Sequence, residues 1–237
     1  VITLVFIIGF ALSPIFTQSQ ELIPKPIDTN PVQIYRGLGQ LTSAAFSHDG
    51  TMIATAGDIG AIVWNIEEGV AEAVQWFNGH TDIVRDVVFS SDDAQLLTSS
   101  NDNTLRIWEV ETGEEKDVLR GHLSFVPAIA YMPSGNQAVS ASLDNTAKLW
   151  DLEEGNVLFT YRSHTSDVND IAVAATSELI VTGSSDRTAK LWRPGGEGLL
   201  ETFSNHQGAV LAVDTDPLAE TIVTGGADKA VMLWTPQ

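Results

Sequence analysis

The stretch NDNTLRIW, Asn101 to Trp108, decides the fold, because its two fixed points, an Asp and a Trp six residues further on, return five times along the chain. The pairs are Asp58 and Trp64, Asp102 and Trp108, Asp144 and Trp150, Asp186 and Trp192, and Asp228 and Trp234, so the tryptophans lie 44, 42, 42 and 42 residues apart. Between the fixed points Asp102 and Asn103 suit a tight hairpin turn, and Leu105, Arg106, Ile107 and Trp108 follow as a short strand. A period in the forties, with a turn acid leading into an alternating run that ends in Trp, is the pattern of a propeller blade built from four strands.

Working outward, each unit gains further marks. Strand-like runs at Val32–Arg36, Ala73–Phe77, Asp117–Arg120 and Val157–Arg162 read as outer strands, and a His-bearing turn at His80, His122, His164 or His206 recurs every 42 residues. Four residues past each His stands Val84, Val126, Val168 or Val210, opening an apolar inner strand. The next strand places Thr98, Ser140, Thr182 or Thr224 four residues before the turn Asp. The expected fold is therefore an all-β propeller of five four-stranded blades, with repeats near 37–78, 79–120, 121–162, 163–204 and 205–237. Only Thr235, Pro236 and Gln237 follow Trp234, so Val32–Arg36 is expected to complete the last blade and hide its edge. The same strand would serve a longer ring, so a fragment of a larger, seven-bladed propeller fits as well.

These marks together resemble the WD40-repeat family across nearly all of Val32 to Gln237. The resemblance implies a buried hydrogen-bonded tetrad in each blade: His80, Thr98, Asp102 and Trp108; His122, Ser140, Asp144 and Trp150; His164, Thr182, Asp186 and Trp192; and His206, Thr224, Asp228 and Trp234. The chemistry agrees, since a buried indole N–H needs an acceptor, a hydroxyl both accepts and donates, and a His held by a carboxylate completes the chain. In the first repeat Leu38 falls at the His position and Ala54 at the hydroxyl position, which leaves the partial tetrad Asp58 and Trp64 and a blade expected to lean on apolar packing. The Asp after Trp survives only as Asp151; Asn65, Glu109, Arg193 and Thr235 replace it.

The net charge of -19 disfavours a nucleic-acid backbone or an anionic membrane as partner, because both call for a Lys/Arg footprint. The absence of Cys removes disulfides, thiolate metal sites, Cys nucleophiles and lipidated Cys anchors. At the N-terminus, Val1 to Leu12 (VITLVFIIGFAL) is an apolar run shorter than the ~20 residues that span a bilayer. Thr17 and Ser19 stand at the -3 and -1 positions of a cleavage before Gln20, so residues 1–19 read as a signal peptide and 20–31, with three prolines, as a stiff linker. The expected location is secreted or periplasmic, with no stable membrane insertion after cleavage. The alternative is an anchor, because the chain lacks an initiating Met and a basic n-region and is expected to begin inside a longer reading frame.

A Ser or Thr, a His and an Asp in one blade imitate a hydrolase triad, but a catalytic set is needed once and this one recurs four times, with no nucleophile elbow. No catalytic residue is assigned. The four His belong to separate blades and make no metal cluster, and His48, in the turn SHDGT, reads as solvated. Acid pairs such as Asp92 and Asp93 or Glu153 and Glu154 lack the spacing of a calcium loop and read as an acidic rim. Gly195, Gly196 and Gly198 sit in a hairpin loop. No cofactor and no metal are expected.

The resulting expectation is a non-catalytic protein-interaction scaffold with a protein or peptide partner, as the resemblance implies. The alternatives are an extracellular carbohydrate- or ligand-binding propeller, a propeller enzyme, or a sensor domain of a larger protein. Residues three and five past each His, together with those just before the turn acids, should line the partner-binding top face. They are Ile83, Arg85 and Asn101; Phe125, Pro127 and Leu143; Asp167, Asn169 and Ser185; and Ala209 and Leu211. Phe125, beside Ile83, Arg85 and Leu143, has the composition of an interface hot spot.

Overall fold

The computed structural model describes residues 39–58, 60–67, 70–196 and 198–236. Val1–Leu12, the linker, Val32–Arg36 and Leu38 lie outside the described residues, and the expectations placed on them stay as expectations. Among the described residues every regular element is a strand, and no helix is long and apolar enough to cross a membrane.

The strands form five antiparallel sheets in chain order. Blade 1 holds β1 (Leu41–Phe46), β2 (Met52–Gly57), β3 (Gly60–Glu67) and β4 (Val70–Phe77). Blade 2 holds β5 (Val84–Phe89), β6 (Gln95–Ser100), β7 (Thr104–Glu109) and β8 (Glu115–Arg120). Blade 3 holds β9 (Ala128–Tyr131), β10 (Gln137–Ala141), β11 (Ala147–Asp151) and β12 (Asn156–Tyr161). Blade 4 holds β13 (Val168–Val173), β14 (Ile180–Ser184), β15 (Ala189–Trp192) and β16 (Leu199–Phe203). Blade 5 holds β17 (Val210–Thr215), β18 (Ile222–Gly226) and β19 (Val231–Trp234), three strands among the described residues. This is an all-β propeller architecture, and the inner strands pack in sequence, β1 on β5, β5 on β9, β9 on β13 and β13 on β17.

Local chemistry explains the details. β9 starts two residues later than its counterparts because Pro127 stands where Arg85 does in β5 and has no N–H to give the ladder. The turn acids are followed by Asn103, Asn145, Arg187 and Lys229, all left-handed with φ between 66 and 72°, which closes each β-hairpin tightly. A bulge falls beside Trp64, Trp108, Trp150 and Trp192 in the pairing with the outer strand, the kind of irregularity that re-aims a side chain.

The core sits between blades rather than within them. Leu97, Leu105, Ile107 and Leu119 of blade 2 pack with Val126, Ile129, Ala138 and Trp150 of blade 3. The same arrangement joins Ala54, Ala56, Ala61 and Val63 of blade 1 to Val84, Val87, Phe89 and Trp108 of blade 2. Blades 3 and 4, and blades 4 and 5, repeat it. Each blade thus has a trailing face of small and branched residues and a leading face that carries its Trp.

Candidate functional site

In blades 2 to 5 one relay of hydrogen bonds recurs. The indole N–H of Trp150 donates to Ser140 Oγ at 2.8 Å, the Ser140 hydroxyl lies 2.7 Å from His122 Nε2, and His122 Nδ1 lies 2.8 Å from Asp144 Oδ2. The single hydroxyl proton fixes the direction: Ser140 accepts from the indole and donates to Nε2, so His122 carries its proton on Nδ1 and donates it to Asp144. Trp108, Thr98, His80 and Asp102 repeat this at 2.9, 2.8 and 2.8 Å. Trp192, Thr182, His164 and Asp186 do so at 2.9, 2.8 and 2.8 Å. Trp234, Thr224, His206 and Asp228 follow at 2.9, 2.7 and 2.9 Å.

Each carboxylate also holds its turn. Asp144 accepts from the N–H of Leu123 and from both the N–H and the hydroxyl of Thr146. Burial pushes the Asp144 and Asp102 carboxyls up, but the His, Thr and backbone donors outweigh it and hold both well below the usual carboxylate range. Asp186 is lowered to about 2 by the same balance, with Thr188 and His164 the strongest donors. Burial pulls the His122 and His164 imidazoles down despite their Asp partners, so the relays of blades 3 and 4 consist of neutral His and ionised Asp. Thr98, Ser140 and Thr182 are completely shielded from solvent, so no substrate can reach these hydroxyls, and the relays act as blade locks.

Blade 1 corrects the reading of its hydroxyl. The indole of Trp64 donates to Thr55 Oγ1 at 2.9 Å, and Ala54 is buried on the opposite, trailing face. The β2–β3 hairpin is one residue shorter than its counterpart: Ala56 pairs with Ala61 across four residues, whereas Ser99 pairs with Leu105 across five. Counting back from the turn acid therefore lands one residue off, and in a strand one residue reverses the face. Asp58 accepts from the N–H of Gln40 at 3.0 Å, much as Asp102 accepts from that of Thr81. Thr55→Ala is expected to cost about 1–2 kcal/mol by removing the hydroxyl that accepts from the Trp64 indole, measured by urea unfolding, whereas Thr55→Ser should cost less.

His48 is exposed, as expected, and also bonds across blades. Its backbone N–H and ring Nδ1 both meet Asp93 Oδ1, at 2.8 and 2.9 Å, and the N–H of Asp49 reaches Asp93 Oδ2 at 3.1 Å, so this turn ties blade 1 to blade 2. Gly195 and Gly196 adopt positive φ in the β15–β16 hairpin loop. Among the described residues no group of three or more His, Cys, Asp and Glu side chains is placed to hold a metal ion.

The top-face positions come in neighbouring pairs. The N–H groups of Asn101, Leu143, Ser185 and Ala227 donate to the carbonyls of Ile83, Phe125, Asp167 and Ala209, at 3.0, 2.9, 2.9 and 2.8 Å. Arg85, Phe125 and Leu211 are exposed, while Ile83, Asn101, Pro127, Leu143, Asp167 and Asn169 are half-buried. Asn169 is occupied internally, because its amide donates to the Val210 carbonyl at 2.7 Å and to Ser185 Oγ at 3.1 Å, fastening blade 4 to blade 5. Leu123 was not among the expected positions, yet it is 87% exposed, two residues before Phe125 at 45%. The available signal was its contrast with Thr81, Thr165 and Gln207, the polar residues that follow the other three His. A cleft of about 340 Å³ lined by Asp58, Asn78, Thr81, Asp82 and Ile83 opens between blades 1 and 2.

Other polar groups fasten the inner strands. Asp86 accepts from the Ser43 hydroxyl of blade 1 at 2.7 Å and from the Ile129 N–H of blade 3 at 3.0 Å, and Asp170 accepts from the Val213 N–H of blade 5 at 2.7 Å. Burial raises both carboxyls, that of Asp170 to about 6.

Five repeated blades, four of them locked by a Trp–hydroxyl–His–Asp relay, define a β-propeller with a structural role for its recurring polar set. The WD40 family, described as WD domain, G-beta repeat, matches residues 29–65, 71–109, 113–151, 155–193 and 197–235, and the chain belongs to this family. It is 40% identical over 65 residues to THO complex subunit 6 of Arabidopsis thaliana, covering 27% of this chain and 17% of that protein. It is 36% identical over 87 residues to Transcriptional corepressor LEUNIG_HOMOLOG of Arabidopsis thaliana, covering 36% and 11%. Small ribosomal subunit protein RACK1 of Neurospora crassa is 39% identical over 80 residues, covering 32% and 25%. The chain thus spans a quarter or less of the length of these relatives.

Proposed function

We propose that the chain is a non-catalytic interaction scaffold whose protein or peptide partner docks on the top face, centred on Leu123, Phe125 and Leu143 of blade 3 with Ile83 and Arg85 of blade 2 beside them. The observation that carries this reading is the exposure of Leu123, where the other three His-bearing turns present Thr81, Thr165 and Gln207, together with the exposure of Phe125 two residues on. An exposed aromatic and an exposed Leu with an Arg nearby form the kind of patch that partner side chains desolvate with profit in affinity. The names of two relatives, a subunit of the THO complex and a small ribosomal subunit protein, place those proteins in larger assemblies, which favours the same kind of role here. The net charge of -19 favours a partner with a basic rim, since long-range attraction speeds encounter. The apolar run at Val1–Leu12 supports export as the setting, with cleavage before Gln20 or, alternatively, retention as an anchor.

Capture experiments with the exported form test the surface. Phe125→Ala and Arg85→Ala are each expected to weaken binding of the captured partner about tenfold or more while leaving the unfolding temperature unchanged. Charge removal at Glu153 and Glu154 should leave binding intact. Binding that survives the first pair and is abolished by the second would place the site on the acidic loops instead.

A further inference from the structure

At the rim of each joint an outer strand meets the outer hairpin of the next blade, and in the middle of the chain one such meeting differs from its neighbours. Register places Gln75 opposite Val63, Asp117 opposite Ile107 and Phe159 opposite Leu149, so the three hold one position in blades 1, 2 and 3. Gln75 presses on Gly113 and Asp117 on Gly155, each in the hairpin of the following blade, and neither glycine has room for a Cβ. Phe159 replaces the polar residue in blade 3, and Gly195 and Gly196 of the next hairpin have nothing within 4 Å of where a Cβ would stand. A groove of about 390 Å³ opens there between blades 3 and 4. Phe159, Tyr161 and Trp192 line it as a row of rings, with centroids 4.9 Å and 5.2 Å apart, and Leu199, 40% exposed, stands beside them. Among the described residues Arg162 is the one charged side chain lining the groove, and it has no ion-pair partner.

The groove adjoins a sheet edge, because among the described residues β12 is hydrogen-bonded to β11 alone. The sequence of β12, NVLFTY, carries no charge, whereas β8 carries Glu115, Lys116, Asp117 and Arg120. Charged side chains, Lys above all, blunt a strand edge against pairing. The unpaired residue of the bulge shows the same contrast: it is Lys116 in blade 2 and Leu158, 46% exposed, in blade 3.

We propose that an extended peptide segment of a partner protein adds to the β12 edge as a fifth strand of blade 3, setting one large apolar side chain in the groove and a carboxylate against Arg162. In strand addition the backbone groups of the edge supply affinity and an adjoining pocket supplies selectivity. The apolar row of Phe159, Tyr161 and Trp192 selects the side chain. Charge selects the carboxylate: the chain carries a net charge of -19, which repels an acidic segment in general, whereas exposed Arg162 attracts it at the groove. The site uses none of the top-face residues and stands independently of the partner surface proposed there.

Fluorescence anisotropy of a labelled synthetic peptide, Asp-Phe-Thr-Val-Thr-Val, titrated with the full chain tests the proposal. A dissociation constant on the order of 10–100 µM is expected, and the outward-facing amides of β12 should exchange hydrogen more slowly in the complex. Leu158→Lys, which installs the bulge residue of blade 2, and Arg162→Glu should each weaken binding about tenfold. Both side chains are exposed, so the unfolding temperature should not change. The peptide with Ser in place of Phe should also lose about tenfold, and so should Asp-Phe-Pro-Pro-Thr-Val, because two adjacent prolines remove a ladder N–H whichever way the strand faces. Failure of the first peptide to bind, equal binding of the proline peptide, or binding untouched by either substitution would each overturn the proposal. A dimer of the chain that forms through β12 and is lost in Leu158→Lys would overturn it too, by making a second copy the occupant.

Discussion

Trp150→Ala should lower the unfolding free energy by about 3–5 kcal/mol, the range for removing a large buried aromatic side chain. The ring is completely buried, packs with Leu105, Ile107 and Leu119 of the preceding blade, and meets His122 edge-on at 5.8 Å. His122→Ala should cost about 1–3 kcal/mol, because it strands the Ser140 hydroxyl and removes one of the donors on Asp144. The two side chains share Ser140, so the double variant should lose less than the sum, by about 0.5–3 kcal/mol. Equilibrium unfolding in urea of the wild type, the two singles and the double measures this coupling. Simple addition would show that the relay is a row of independent bonds.

Asp170 should make the protein less stable as pH rises from about 4 to about 6, by about 2–3 kcal/mol. Burial raises the carboxyl from 3.8 to about 6, and the neighbouring charges of Asp86 and Asp214 add to the effect. Between those two values the folded chain binds the more protons, so its stability falls with pH across that window and is level above it. His122 and His164 act oppositely. Their folded values lie below the ordinary 6.5, so the stability they contribute is present above that pH and lost as pH falls. Comparing the wild type with Asp170→Asn cancels the His contribution, which both share. The wild type should lose about 2–3 kcal/mol relative to the variant between pH 4 and pH 7, and a difference that stays flat with pH would show that the Asp170 carboxyl is ionised throughout.

The sequence carried the blade pattern plainly because the marks that define a blade lie on one repeat at fixed spacing. His80, Thr98, Asp102 and Trp108 all fall within 29 residues, and hairpin geometry alone brings them together. Thr55 was hidden by a one-residue change in a turn, which shifts a count without leaving a mark in composition. Asp86, Asp170, Asn169 and His48 were illegible for a different reason. Each acts on a residue roughly 41 to 45 positions away, in the neighbouring blade, and joint geometry is a tertiary property that periodicity within one repeat does not express. Leu123 lies outside the alternation of the inner strand, in the turn that precedes it, so strand periodicity carries no mark of its exposure.

The placement of each Trp on a leading face, under the trailing face of the blade before it, gives the row a direction. Trp108 lies against blade 1, Trp150 against blade 2 and Trp192 against blade 3. The blades therefore overlap like roof tiles: lifting blade 2 away from blade 3 wets the His122–Trp150 relay beneath it, yet leaves the His80–Trp108 relay dry under blade 1. Opening any one of these seams exposes the relay of the blade on its C-terminal side.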